Sequence, residues 1–277
     1  MDDNFGVLRV ATEGAVAIVT IDNPPTNLVG GPFIGGLIAM IDAMEQDDRI
    51  NVVVFRSADP DFFLMHGDVE QLVNAPRRTA ERATAPNVAA VAFERLRNCR
   101  FVSIAMIDGQ ARGGGAEFLT ALDLRIGSER TVLGQPEVPM GILPGAGGTS
   151  RLPRLLGRSR ALDIILTARD IGADEALAIG WIDRLVPRAD LESHTMALAR
   201  HIARMPAASV AAVKRVVDIS LRDGNLDRAL TAETDALGQL MSLETREVNM
   251  RRFLDAGGQT REAELTRNAS LIEAMLD

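Results

Sequence analysis

The pattern of apolar and polar positions opens as a β-hairpin. LRVAT and AVAIVTID are rich in β-branched residues and flank Glu13 and Gly14, and NPPTN then breaks the pattern into a loop. The period changes in PFIGGLIAMIDAMEQDD, where Ile34, Ile38 and Ile41 recur at helical spacing. NVVVFRSA and FVSIAMIDG are short apolar runs of the kind found in buried strands, and the helical stretch NVAAVAFERLRN lies between them. Strand, helix and strand in succession predict an α/β class. Beyond Val186 and Pro187 the period is helical, through LESHTMALARHIARM, AASVAAVKRVVDISL, DRALTAETDALGQLM and REAELTRNASLIEAML. No linker or low-complexity segment sets this part off, so we expect a core over residues 1–190 and a packed helical region over 191–277.

Composition narrows the classes of function. A chain of 277 residues with 47% hydrophobic content can bury a substantial core. A formal charge of −8, 4% aromatics and no tyrosine supply neither the basic surface nor the stacking platform of a nucleic-acid binder. No uninterrupted apolar stretch reaches the ~18 residues of a membrane span, and the acidic start MDDNFGVLRV does not read as a secretory signal. A cytoplasmic protein with neither nucleic-acid nor membrane partner is therefore expected. Cys99 is the only cysteine and reads as a small buried hydrophobe. His66, His194 and His201 lack metal-ligand spacing, so no metal site is expected.

Candidate chemistry is concentrated between Phe101 and Pro187. Gly113, Gly114 and Gly115 follow a strand and loop and precede AEFLTALD, a predicted helix start with Glu117 in its first turn. Such a turn exposes backbone N–H groups where negative charge can develop; alone, it fits a close-packed strand-to-helix turn equally well. No GK[ST] follows, which excludes a Walker loop. Glu137 stands between prolines in LGQPEVPMGILPGAGG, where a dinucleotide fingerprint is a poor fit because Ser150 takes the place of its third glycine. A third element, FFLMHGDV, is an apolar run broken by His66, Gly67 and Asp68.

Together these residues resemble the enoyl-CoA hydratase/isomerase (crotonase) family. GGGAEFLTALDLRIGSERTVLGQPEVPMGILPGAGGTSRLPRLLG reproduces that family's signature in order and spacing. The resemblance continues through ILTARDIGADEALAIGWIDRLVP and, more loosely, from Val7 to Phe253. It implies a spiral of ββα repeats with a C-terminal helical trimerisation region, assembled as a homotrimer or homohexamer. It further implies an oxyanion hole made by the N–H groups of Gly67 and Gly114, catalytic carboxylates at Glu117 and Glu137, and Gly145 in the loop lining the water and acyl side. The implied substrate is an acyl-CoA thioester, with coenzyme A entering as part of the substrate and no separate cofactor.

The presence of both carboxylates favours an enoyl-CoA hydratase, with Glu117 activating water and Glu137 protonating C2. Double-bond isomerisation, other acyl-CoA enolate chemistry and a non-catalytic acyl-CoA-binding scaffold are the alternatives. The family's FxAGAD segment becomes Phe63, Leu64, Met65, His66, Gly67 and Asp68 here, so Met65, His66 and Asp68 are expected to shape the substrate-binding wall. The family's C-terminal EG and KR segment is missing, which leaves Arg77, Arg78, Arg251 and Arg252 as candidate contacts for the cofactor phosphates.

Overall fold

The computed structural model describes residues 3–74, 82–266 and 268–276. The chain divides into two compact units, Met1–Ala203 and Arg204–Asp277. In the first, the strands β1 (Asp3–Phe5), β2 (Leu8–Glu13) and β3 (Val16–Ile21) lead to helix α1 (Gly31–Gln46). Next come β4 (Val52–Ser57), β5 (Phe62–Leu64), α2 (Val69–Asn74) and α3 (Val88–Arg97). They are followed by β6 (Val102–Ile107), β7 (Gln110–Arg112), α4 (Gly114–Leu119), β8 (Leu124–Gly127) and β9 (Val132–Gly134). A 3₁₀ turn at Val138–Met140 precedes α5 (Gly148–Leu156), α6 (Arg158–Thr167), β10 (Ile171–Gly172), α7 (Ala173–Ile179), β11 (Arg184–Leu185) and α8 (Arg188–Ala203).

The strands form two sheets, one in the order β1-β2-β3-β4-β6-β8-β11 and a smaller one in the order β10-β9-β7-β5. The expected hairpin is present, with β2 antiparallel to β3; from β3 onward the large sheet is parallel. Three times in succession a strand of the large sheet passes into a short strand of the small one: β4 to β5, β6 to β7 and β8 to β9. Each pair then leads into helix. This is the ββα repeat that the family resemblance implies, and the chain's own sequence conceals it because strands of two or three residues show no periodicity. The turn from β6 to β7 needs Gly109, whose φ is +95° and where a side chain would strike the Asp61 backbone.

Burial explains the parallel arrangement. Val52, Val53, Val54 and Phe55 of β4 are all fully buried, as a strand covered on both faces must be. Phe118 of α4 is the centre of an aromatic cluster, in edge contact with Phe33, Phe55 and Phe93 at centroid distances of 5.5, 5.2 and 5.3 Å. Edge-on pairs of this kind contribute roughly 0.5–1.5 kcal/mol each beyond the area they bury. They fix α4, and with it Glu117, against α1, β4 and α3. Cys99 is buried, as its reading as a small hydrophobe anticipated.

The second unit is helical: α9 (Ala207–Asp223), α10 (Leu226–Met241), α11 (Glu244–Asp255), α12 (Arg261–Thr266) and α13 (Asn268–Leu276). Asn225 caps α10, its side-chain oxygen accepting from Arg228 N at 3.1 Å. The expected division between residues 190 and 191 falls inside α8. That helix stays with the first unit because it packs across β4 and β6. Sequence periodicity also misses α11, which buries none of its residues and so lacks an apolar stripe. REAELTRNASLIEAML, read as helical, is helical over its described residues in α12 and α13. Among the described residues no helix is long and apolar enough to cross a membrane.

Candidate active site

Several backbone segments meet at the amino end of α4. Gly113 opens the helix at φ +54° and donates its N–H to Gly134 O at 2.9 Å, which ties α4 to the end of β9. Gly115 donates to Met65 O at 3.0 Å, and a side chain there would run into the Leu64 carbonyl, so only glycine permits this approach. Met65 N donates in turn to Asn27 O at 2.8 Å, and Val29 N to His66 O at 3.0 Å. Asn27 is almost fully buried; its side-chain nitrogen reaches Ser57 Oγ at 2.8 Å and Phe62 O at 3.1 Å.

These bonds consume the N–H groups of Met65, Gly113 and Gly115. Those of Gly67 and Gly114 are left without an acceptor among the described residues. An N–H at the start of a helix has no intrahelical partner, which is the position of Gly114 in α4. The imidazole of His66 donates through Nδ1 to the Gly67 carbonyl at 2.9 Å, so this histidine fixes its neighbour's peptide. Its Cβ packs against Gly113, at 2.8 Å from where a β-carbon would stand.

The two glutamates are buried in different surroundings. Glu117 Oε1 accepts from Ala146 N at 2.8 Å and from Gly148 N at 2.7 Å. Burial raises its carboxyl above the usual range, opposed by those two amides and by the Arg151 guanidinium. Glu137 has less support: its own backbone N–H lowers its carboxyl, but its Oε2 is buried without a partner among the described residues. Burial first, then the charge of Glu117, push its carboxyl up to about 7. Two buried carboxyls thus lie in one site, one braced by two amides and the other raised to about 7.

Residues 11–260 match the enoyl-CoA hydratase/isomerase family. The chain belongs to the enoyl-CoA hydratase/isomerase (crotonase) family. It is 32% identical over 244 residues to a short-chain-enoyl-CoA hydratase of Clostridium acetobutylicum, covering 88% of this chain and 92% of that protein. Among solved structures, an enoyl-CoA hydratase from Bacillus anthracis superposes with a TM-score of 0.83 at 26% identity, covering 90% of this chain and 96% of that one. DspI of Pseudomonas aeruginosa does so with a TM-score of 0.80 at 30% identity, covering 92% and 96%.

Within this crotonase-family site the sequence-derived residues separate into groups. Gly67, Gly114, Glu117, Glu137 and His66 converge around α4, and Met65 is buried there with its carbonyl engaged by Gly115. Asp68 acts as the cap of α2, its Oδ1 accepting from Gln71 N at 3.1 Å. Gly145 is exposed and gives its carbonyl to Asn87 Nδ2 at 2.7 Å, while its neighbours Ala146 and Gly148 supply the amides that reach Glu117. Arg251 pairs with Glu247 at 2.7 Å, Arg252 is exposed, and Arg77 and Arg78 lie outside the described residues. Sequence reasoning missed Asn27, Ala146, Gly148 and Arg151. Two of these, Ala146 and Gly148, act through backbone N–H groups, which leave no mark in residue type.

The raised Glu137 carboxyl makes stability depend on pH. Its unfolded value near 4.5 lies below the folded value of about 7, so the native state holds the extra proton between them. The stability it contributes is fully present below about pH 4.5 and is lost as pH rises through 7. Glu137→Gln is expected to remove this loss, so in urea titrations its stability relative to wild type should be higher at pH 8 than at pH 5. An equal difference at both pH values would contradict the burial of an unsupported carboxyl.

Proposed function

We propose that this protein adds water across the double bond of a 2-enoyl-CoA thioester, with Glu117 and Glu137 as the acid–base pair. The observation that carries this reading is the coexistence of two free N–H groups, at Gly67 and Gly114, with two buried carboxyls in different states of support. An unsaturated thioester becomes electrophilic at C3 only when charge moving onto its carbonyl oxygen is stabilised. Fixed N–H donors contribute about 2.7–4 kcal/mol each to such a transition state. Glu117, braced as a carboxylate, takes a proton from water as the oxygen bonds to C3. Glu137, protonated near neutral pH, delivers a proton to C2, and the thioester carbonyl reforms. Coenzyme A belongs to the substrate in this scheme, and no other cofactor is required.

Glu117→Gln and Glu137→Gln should each lower kcat by at least ~100-fold while the protein stays folded, the usual scale of acid–base contributions. The assay is conversion of a 2-enoyl-CoA in heavy-oxygen water, with label expected on C3 of the product. Wild-type turnover in either variant would remove that glutamate from the chemistry. Migration of the double bond without label would replace hydration by isomerisation.

We also propose that the chain assembles as a homotrimer or a pair of trimers. Val213, Val217, Leu221, Leu230, Leu237 and Met241 on α9 and α10 are between 42% and 61% exposed, an apolar surface that a lone soluble domain rarely leaves open. Leu271, by contrast, is buried inside the unit. Sedimentation at micromolar concentration should give three or six times the mass of the chain, and a monomer alone would refute the assembly.

A further inference from the structure

Arg151, in the first half of α5, is an arginine with only 12% of its side chain exposed. Its Nη2 donates to Ala146 O at 2.6 Å and its Nε to Thr120 Oγ1 at 3.1 Å, while Nη1 lies 3.6 Å from Glu94 Oε2. The contacts to Ala146 and Thr120 bear on Glu117. Ala146 presents its carbonyl to the guanidinium and its N–H to the Glu117 carboxylate, so one residue links the two charges. Thr120 caps the helix that carries Glu117 and donates its hydroxyl to the Glu117 carbonyl at 2.6 Å. The loop itself is shaped around the arginine. Gly147 adopts φ +114°, its carbonyl accepts Arg151 N at 2.7 Å, and any side chain there would collide with the guanidinium.

We propose that Arg151 is a positioning residue for the reaction, locking the Ala146–Gly148 loop whose two N–H groups hold Glu117 and supplying the positive charge that balances the carboxylate. The inference rests on the reading of Glu117 as the base. A carboxylate taken out of water needs compensating donors or charge, and Glu117 receives two amides on one oxygen and a guanidinium one residue away. The guanidinium does not touch the bonds that change. It acts through the loop, as a planar fork that spans two acceptors where an ammonium would reach fewer.

The test combines kinetics with titration of the Glu117 carboxyl by infrared spectroscopy of the ¹³C-glutamate-labelled protein, its band isolated by difference against Glu117→Gln. Arg151→Gln should lower kcat on the order of 10-fold or more with KM changed by less than about 3-fold, and should move the Glu117 midpoint to higher pH. Arg151→Lys, which keeps the charge and loses the fork, should leave the midpoint near that of wild type and recover part of kcat. Arg154→Gln, an exposed residue on the same helix, should change neither. An unmoved midpoint in Arg151→Gln, or equal losses in the Gln and Lys variants that track thermal stability, would reduce Arg151 to a structural staple and overturn the proposal. If Arg151→Gln does not fold, Arg151→Lys decides: reduced kcat at an unchanged midpoint supports the proposal, and wild-type kcat overturns it. A shifted midpoint in a protein that hydrates no enoyl-CoA would uphold the positioning of Glu117 and count against hydration alone.

Discussion

The site depends on one close approach, that of the amino end of α4 to the backbone beyond β5. Gly115 lies against the Leu64 carbonyl so tightly that no other residue fits, and its N–H is bound by Met65 O. This contact draws together a helix start and an extended segment that belong to different ββα repeats. Beside this contact, the N–H groups of Gly67 and Gly114 have no acceptor among the described residues. The Phe118 cluster supplies the rigidity from behind, since α4 is too short, at six residues, to hold its place by its own hydrogen bonds.

The same architecture separates two otherwise identical side chains. Burial raises both carboxyls, yet only Glu117 faces a loop that turns its amides inward, with Arg151 behind it. Glu137 sits at the entrance to a short 3₁₀ turn between prolines and finds no donor for one of its oxygens. The charge held on Glu117 then helps to keep the proton on Glu137. The two carboxyls thus differ in environment without any difference in residue type, through the placing of backbone dipoles and one arginine.

This distribution of work explains what could be read from the sequence. Long periodic elements such as α1 and α8, and the β-branched strands β3, β4 and β6, were legible because many residues repeat one signal. The strands β5, β7, β9, β10 and β11 were not, because two or three residues carry no period. At the site, the GGG turn and the Pro-framed glutamate were visible as residues but ambiguous in role; the family resemblance gave them their meaning. Gly145 was singled out from its motif, whereas the bonds to Glu117 come from the residues on either side of Gly147, since a main-chain donor can be any amino acid. Arg151 was not singled out in the sequence. Only the folded loop shows it enclosed. Asp68, expected on the substrate-binding wall, also starts α2, a common use of an aspartate before a helix.

The central claim is that the two unpartnered N–H groups receive the thioester oxygen. The most direct measurement is a crystal structure of the protein with a saturated acyl-CoA, which carries the same thioester but cannot take up water. The account predicts the thioester oxygen at roughly 2.7–3.1 Å from both Gly67 N and Gly114 N, the range of a working oxyanion hole. A thioester bound with its oxygen turned away from both nitrogens, toward solvent or a side chain, would contradict it.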